Sequence, residues 1–349
     1  MQDIQIGIVG FGRIGAEHAS WISAAVGIRA AAVSDATPAR RELALARGLR
    51  TYPDVESMLA DRSIDAVLIA TPTAMHFPHA MLALEAGKHL MIEKPMALDL
   101  EESRHLVQEA HSRGKVLSVF HNRRWDIDYL TVQSAIASGA FGKLINVESR
   151  LGQFASCVGP AAQEYRPGWR NEASFGGGGL YDWGSHFVDQ LWRLLWPARP
   201  VRVFAQLRGN VWTTDCDDFA RVLIDFDNNA VGLCEINTTT ACPLPRWHLD
   251  GTLGSASAPP SREFDTGQWA TLQFIPPQEN SAPVMFPRAE PGLNEVQIWE
   301  RFAEAVRGDG LPAVTGQSVL PTMALLDAAR QSSRHQEACD VQGMVDWIY

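Results

Sequence analysis

The pattern of apolar and polar positions divides the chain into two parts. In the first 120 residues, short runs that are apolar throughout alternate with amphipathic stretches. Such runs are typical of strands covered on both faces, and their alternation with helices is typical of a parallel, doubly wound sheet. The predicted strands are 4–9, 29–33, 66–70, 90–92 and 116–120. The predicted helices are 14–25, 39–46, 76–86 and 100–112, the last with Asp99 as its cap.

After about residue 121 the pattern changes to longer segments separated by Asp- or Gly-bearing turns. It predicts an open, mostly antiparallel sheet with one covered face, and a loop with five prolines at 276–291. The predicted strands are 144–151, 201–207, 219–226, 230–237, 247–250 and 270–274. The predicted helices are 127–137, 179–196, 294–306 and 319–331, of which the last two are free to pack back on the first part.

A glycine-rich turn joins the first predicted strand to the first predicted helix. Glycines at these spacings allow a tight turn, close approach to a pyrophosphate and close packing of helix on strand. The N-terminus of the helix then offers free N–H groups and a positive dipole end to the phosphates. The motif therefore predicts a dinucleotide-binding Rossmann domain at 1–120, followed by a substrate-binding domain at 121–349. Its residues are Gly10, Phe11, Gly12, Arg13, Ile14 and Gly15.

An acidic residue at the end of the second strand supports this interpretation. Asp35 lies 20 residues beyond Gly15, the spacing at which a carboxylate reaches the ribose hydroxyls of the adenosine. The alternative role is that of a cap for the following helix. The carboxylate would repel a 2′-phosphate and so favours NAD over NADP, although Arg40 or Arg41 is able to turn toward such a phosphate.

Lys94 is the first candidate for chemistry. It belongs to the segment Glu93-Lys94-Pro95, directly after the fourth predicted strand, and ligands of open α/β sheets bind beyond the carboxyl ends of the strands. A partly desolvated lysine there would hydrogen-bond a substrate hydroxyl and stabilise charge on its oxygen. The alternative is a surface lysine before a turn formed by Pro95.

Asp182 and His186 form the second candidate. If they lie on an α-helix, they share one face with Asp189, and an aspartate one turn before a histidine sets its tautomer and raises its basicity. Two alternatives are an ordinary surface pair and a metal site, for which the sequence offers no convincing third or fourth ligand. The four glycines at 176–179 favour a functional role, because such a run weakens local structure unless a close approach requires it.

Composition narrows the class of protein. A formal net charge of −10 argues against nucleic acid or an anionic membrane as partner. We expect a cytoplasmic globular protein without a signal peptide, since the first strand begins at residue 4 and no apolar run reaches the roughly 20 residues of a membrane span. The five cysteines lack a Cys-x-x-Cys pair, which argues against a disulfide scaffold: Cys157, Cys216, Cys234, Cys242 and Cys339.

The motifs as a set resemble the glucose–fructose oxidoreductase and inositol dehydrogenase (Gfo/Idh/MocA) family over nearly the whole chain. Each motif is modestly specific, but their order and spacing together are highly specific. They are GFGRIG at 10–15, Asp35, Thr71-Pro72-Thr73 with His76, EKP at 93–95, NRRWD at 122–126, Trp169-Arg170 and GGGGLYDWGSH at 176–186. The NRRWD segment looks most like the branch that acts on inositols and related polyols.

The resemblance implies residue roles that spacing alone does not give. Lys94, Asp182 and His186 would be the catalytic group, with Trp169 and Arg170 near the nicotinamide. The other residues expected at the cofactor are Thr71, Pro72, His76 and Glu93. Asn122 and Arg124 would approach the substrate, which the catalytic group and the Trp169-Arg170 pair would also contact.

The resemblance also implies an activity. We expect an NAD(P)-dependent dehydrogenase for a secondary alcohol of a sugar, sugar derivative or cyclitol, assembled as a homodimer or homotetramer through the second sheet. Tryptophans at 125, 169 and 183 fit a carbohydrate ligand. Two alternatives remain: a glycosidase that oxidises, eliminates, hydrates and reduces without net use of NAD, and a non-catalytic NAD sensor. The retained catalytic group argues against the sensor.

Overall fold

The first sheet has six parallel strands, in a computed structural model that describes residues 2–157, 168–260, 264–278 and 281–347. Its order is β3-β2-β1-β4-β5-β6, so the chain reverses direction across the sheet between β1 and β4, as in a doubly wound fold. The strands are β1 (Ile4–Val9), β2 (Ile28–Ser34), β3 (Arg50–Tyr52), β4 (Ala66–Ile69), β5 (His89–Ile92) and β6 (Leu117–Val119). The helices are α1 (Arg13–Ala24), α2 (Pro38–Ala46), α3 (Val55–Leu59), α4 (His76–Glu85) and α5 (Leu100–Ser112).

The second sheet has nine strands in the order β14-β13-β12-β11-β7-β10-β9-β8-β15. Only the central pair, β7 and β10, is parallel, so the sheet is mixed but mostly antiparallel. The strands are β7 (Leu144–Gly152), β8 (Pro200–Arg208), β9 (Phe219–Phe226), β10 (Val231–Asn237), β11 (Trp247–Gly251), β12 (Gly254–Ser257), β13 (Gln273–Ile275), β14 (Val284–Met285) and β15 (Cys339–Asp340). The helices are α6 (Ile127–Ala137), α7 (Ser185–Leu195), α8 (Thr266–Trp269), α9 (Glu295–Arg307) and α10 (Leu320–His335).

One face of the second sheet is covered and the other is open. Helices α7 and α10 pack against the covered face, and buried positions alternate with exposed or half-buried ones along β8 and β9. This period-two alternation is that of an antiparallel sheet with one face on the core. Phe204, Leu223 and Leu233 are paired side by side on the open face, where Phe204 is 37% exposed.

The last two helices pack in different places. Helix α9 packs on α1, where the buried rings of Trp299 and Phe302 join the core beside the first sheet. Helix α10 packs between β8, α7 and α5 and so connects the two sheets. None of the helices in the described ranges has both the length and the apolar character that crossing a membrane requires.

The two predicted sheets are confirmed, whereas some individual strands were missed or displaced. The Asp99 cap of α5 is also confirmed, since its carboxylate accepts the Glu102 N–H at 2.9 Å. Four strands of only two to four residues were missed because none of them carries an apolar run of ordinary strand length: β3, β12, β14 and β15. Strand β14 lies inside the segment predicted as a loop, and the strand predicted at 270–274 is displaced to β13 behind α8.

Candidate active site

The glycine turn after β1 leaves room that a side chain would fill. Gly10 has φ of +90°, and a Cβ there would lie 2.8 Å from the carbonyl oxygen of Ala70. A Cβ on Gly15 would collide with the carbonyl oxygen of Gly10. Gly12 precedes α1 without a side-chain cap, so the first N–H groups of the helix remain available to a ligand. This cradle fits a dinucleotide pyrophosphate.

Asp35 lies against the same turn. Its Oδ2 accepts the N–H of Phe11 and its Oδ1 accepts the N–H of Thr37, both at 2.8 Å. The N-cap of α2 is Thr37, so Asp35 is not the capping residue. Arg40 Nη1 lies 3.5 Å from Asp35 Oδ2, and Arg41 donates to the carbonyl oxygen of Asp35. A carboxylate and two arginines therefore meet where the adenosine ribose is expected.

The loops after β4 and β5 are joined by His76. Its Nδ1 lies 2.8 Å from the carbonyl oxygen of Pro95, and its Nε2 lies 3.0 Å from that of Thr71. Burial lowers the pKa of His76, so the ring is neutral and donates to one of the two carbonyls at a time. Thr71, Pro72 and His76 thus lie at the carboxyl ends of the strands, where the cofactor crevice is expected.

Lys94 is held by Asp182. The Lys94 amine donates to the carbonyl oxygen of Asp182 at 2.6 Å and lies 3.3 Å from its Oδ1, and Arg170 Nε also lies 3.3 Å from that Oδ1. Burial alone would raise the pKa of Asp182, but the charges of Lys94 and Arg170 hold it below its usual value. The carboxylate is therefore ionised and fixes two cations.

His186 differs from the expectation. Residues Leu180–Gly184 form a π-helical turn ahead of α7, so Asp182 and His186 are not spaced as on an α-helix. No hydrogen bond joins these two described residues, and His186 Nδ1 is buried without a hydrogen-bond partner among the side and main chains that the structure describes. Burial, and then the positive charge of Lys94, hold the pKa of His186 well below its usual value instead of raising it.

His121 is a site residue that the sequence analysis missed. It follows β6, and its ring lies edge to face with that of His186 at 5.5 Å between centroids. Both ring nitrogens are buried without a partner among the described residues, and burial lowers the pKa of His121 to about 4. Its place directly after a predicted strand was the available signal, since Lys94 was found by the same rule.

Comparison with known proteins gives the family. Residues 4–121 match a family model described as an oxidoreductase family with an NAD-binding Rossmann fold, and residues 129–257 match the GFO/IDH/MocA C-terminal domain. This chain belongs to the Gfo/Idh/MocA family. The family model describes oxidoreductases with an NAD-binding Rossmann fold, and the chain therefore is an NAD-binding oxidoreductase.

Several relatives cover most of this Gfo/Idh/MocA chain. It is 28% identical to the uncharacterized oxidoreductase YdgJ of Escherichia coli, over 96% of this chain and 97% of that protein. It is 29% identical to scyllo-inositol 2-dehydrogenase (NADP(+)) IolW of Bacillus subtilis, over 82% of this chain and 83% of that protein. The crystal structure of an NAD-binding protein from Listeria innocua has a TM-score of 0.86 at 28% identity and 100% coverage of both chains.

The four glycines of this family member are explained by packing within the chain. Gly176 and Gly178 have φ of +73° and +108°, a region that favours glycine. A Cβ on Gly177 would collide with the carbonyl oxygen of Arg170, and one on Gly178 would collide with the side chain of Asp217. The run therefore lets the segment carrying Arg170 approach the start of the π-helical turn.

The residues expected at the substrate have other partners in the structure. Asn122 Nδ2 donates to Glu295 of α9 at 3.2 Å. Arg124 forms two hydrogen bonds of 2.8 Å to Asp189 and is 7% exposed. The Trp169 ring lies under the guanidinium of Arg170 at 4.5 Å. Substrate contacts of these residues remain predictions.

The other two tryptophans considered for a carbohydrate ligand, Trp183 and Trp125, pack against other side chains of the protein. Trp183 stacks on Phe264 at 5.1 Å, and the guanidinium of Arg123 lies over both rings. Trp125 packs partly buried against the core between the sheets. Within the described ranges, no group of three or more His, Cys, Asp or Glu residues is placed to hold a metal ion.

Proposed function

We propose that this oxidoreductase transfers a hydride between the nicotinamide of NAD(P) and a secondary alcohol or ketone of a sugar, sugar derivative or cyclitol. One observation carries the proposal: Lys94 follows β5 of the sheet that begins with the glycine turn, and the buried His186 ring lies 5.5 Å from that of His121, which follows β6 of the same sheet. Lys94 and Asp182 lie within 3.3 Å of each other, which fixes the amine in place.

The roles follow from protonation states. Neutral His186 takes the proton of the substrate hydroxyl, and the Lys94 ammonium donates to the oxygen and stabilises the negative charge that forms on it. Asp182 holds Lys94 and Arg170 in register and stays ionised. The bound nicotinamide supplies the hydride acceptor, so the substrate leaves as a ketone, and the reverse direction reduces a ketone.

The substrate class is supported by a relative and by aromatic surface. IolW, at 29% identity, is named a scyllo-inositol 2-dehydrogenase. In this chain Trp183 and Phe264 form a stacked pair beside the site, and Phe264 is 36% exposed. Because the guanidinium of Arg123 lies over both rings, a sugar or cyclitol ring would pack against the exposed part of Phe264.

The test is a change in ultraviolet absorbance of reduced nicotinamide with NAD or NADP and a panel of inositols, aldoses, uronates and glycosides. We expect a rise with a polyol, and a loss of about 10²–10⁴-fold in turnover in H186A and K94M. The control variant K143M replaces an exposed lysine and should keep full activity. Full activity of both site variants would refute the mechanism. Cleavage of a glycoside without net reduction of NAD would instead support the redox-neutral glycosidase.

We further propose that the protein is a homo-oligomer and that it is located in the cytoplasm. The open face of the second sheet presents Phe204, Leu223 and Leu233 side by side, a surface suited to a second copy of the chain. A homodimer or homotetramer through this face, a cytoplasmic location and a domain boundary near residue 120 are predictions that sedimentation, fractionation and limited proteolysis test.

A further inference from the structure

A buried polar connection joins the nucleotide-binding helix to Lys94. His18 lies on α1, three residues after Gly15, and has no exposed surface. Its Nε2 lies 2.8 Å from Oε1 of Glu93, whose Oε2 accepts the backbone N–H of Lys94 at 3.0 Å. The proposed proton transfer uses neither His18 nor Glu93 directly, so this connection needs a separate explanation.

Trp299 sets the tautomer of His18. The indole Nε1 of Trp299, which can only donate, lies 3.1 Å from Nδ1 of His18. His18 Nδ1 must therefore accept, and the proton of the neutral ring is on Nε2, pointing at Glu93. In a doubly protonated ring, the Nδ1–H of His18 would point at the Nε1–H of Trp299, and both groups are donors. Helix α9 thus fixes the direction of the hydrogen bond from α1 to Glu93.

The surroundings hold the ring and the carboxylate in place. The His18 ring makes edge-to-face contacts with Trp21 and Phe120, at 4.8 and 4.3 Å between centroids. Burial alone would raise the pKa of Glu93, but the hydrogen bonds from His18 and from the backbone N–H of Lys94 help to hold it below its usual value. Glu93 is therefore ionised and accepts from both neighbours at once.

We propose that His18 is a positioning residue that, through Glu93, fixes the peptide of Lys94 relative to the pyrophosphate cradle at the start of α1. The proposal rests on the proposed function, because it assigns His18 a role only if Lys94 acts on the substrate. His18 is in the second turn of the same helix whose first turn faces the cofactor. A single rigid helix therefore sets both the cofactor position and the Lys94 position.

Two substitutions separate positioning from packing. In H18Q, the amide Nε2 reaches the place of the imidazole Nε2 and still donates to Glu93. In H18N, the shorter amide reaches only the place of Nδ1, so it serves Trp299 and leaves Glu93 Oε1 without its donor. Both variants remove the same ring from the core, which makes each the control for the other in stability. H105N is the surface control, because His105 is exposed on α5.

Two readouts are measured on the full chain. The loss of a hydrogen bond to a charged group costs a free energy equivalent to a factor of about 10–100 in a rate constant. We expect H18N to lower kcat by such a factor, with KM and the NADH dissociation constant within about threefold of wild type, and H18Q to recover most of kcat. Acetylation of Lys94, measured by mass spectrometry against exposed Lys143, should be faster in H18N than in H18Q.

The outcomes distinguish this proposal from the proposed function. Equal kcat and equal Lys94 acetylation in H18N and H18Q would overturn the positioning role. If no alcohol is oxidised by the wild type, the proposed function fails, while the acetylation contrast still decides whether His18 positions Lys94. If H18N does not fold, E93Q weakens the same bond from the other side and should show the same acetylation increase; its absence would overturn the proposal.

Discussion

The buried ion pair of Arg124 and Asp189 allows a quantitative test. If Arg124 stabilises the fold, its replacement should lower the free energy of unfolding, whereas a role in substrate binding predicts mainly a raised KM. Asp189 is 1% exposed and accepts Arg124 Nε and Nη2 at 2.8 Å each. Its Oδ1 also accepts the hydroxyl of Thr322 at 2.7 Å. Arg124 donates further to Ser318 at 3.0 Å. The pair thus connects the loop after β6 to α7 and to α10.

The substitution R124M removes the cation and leaves a buried carboxylate. Breaking a buried pair from one side costs about 3–5 kcal/mol, a large part of the roughly 5–15 kcal/mol by which domains are stable. Burial alone would raise the pKa of Asp189, whereas Arg124 holds it below its usual value. The pair therefore stabilises the wild type above the unfolded pKa, and the contribution is lost as pH falls through the lower folded pKa. In R124M the pKa of Asp189 rises, so acidification should destabilise the variant less.

The assay is urea unfolding followed by tryptophan fluorescence at neutral and at acidic pH. Arg202 supplies the control: it also donates twice to an aspartate, Asp225, but the two side chains are 61% and 42% exposed. We expect R202M to cost less than about 1 kcal/mol. The double variant R124M/D189L should regain much of the loss, because no buried charge remains. A cost below about 1 kcal/mol for R124M, with a raised KM, would refute the supporting role and favour substrate binding.

Four further results are expected. G178A should lower Tm more than G114A, because both glycines have positive φ but only Gly178 lacks room for a Cβ; equal shifts would contradict this. D35N should improve NADPH binding relative to NADH, measured by fluorescence titration, and an unchanged ratio would remove Asp35 from cofactor selection. F204E should shift the sedimentation coefficient toward that of a smaller species, and an unchanged coefficient would contradict an interface on the open face. Because the pKa of His186 lies well below 6.5, kcat/KM for oxidation should lose no activity from His186 protonation at neutral pH, and an acid limb above pH 7 would contradict this.

Much of the fold was predictable because most strands of the first sheet are short runs that are apolar almost throughout, separated by amphipathic helices. Strand β1 is predicted with its observed bounds, and the alternation with helices gives the parallel sheet directly. Strands such as β3 and β12 were not predictable, since they are paired through their backbones while their side chains carry no apolar pattern. The parallel pairing of β7 with β10 also depends on contacts between distant segments, which periodicity does not record.

The site was predictable where one rule of chain geometry applies. Lys94 follows a strand of a parallel sheet, so its place at the carboxyl edge required no further information. The relation of Asp182 to His186 was not predictable, because it depends on a π-helical turn that the sequence pattern does not distinguish from an α-helix. Arg124 shows the same limit, since its partner Asp189 lies 65 residues away in the sequence.

The positive charges near His186 affect both the base and the acid of the proposed proton transfer. Burial lowers the pKa of His186 most, and the positive charges of Lys94, Arg123 and Arg124 lower it further. Such a histidine is neutral at neutral pH and is a weak base. The same cations stabilise an alkoxide, and Lys94, if it binds the substrate oxygen, lowers the pKa of the hydroxyl as well as that of His186. Proton transfer would therefore depend on the difference between the pKa of the substrate hydroxyl and that of His186, both of which the cations lower. A variant that neutralises Lys94 should lose activity even though His186 becomes a stronger base, because the hydroxyl becomes a weaker acid and its alkoxide loses a stabilising charge.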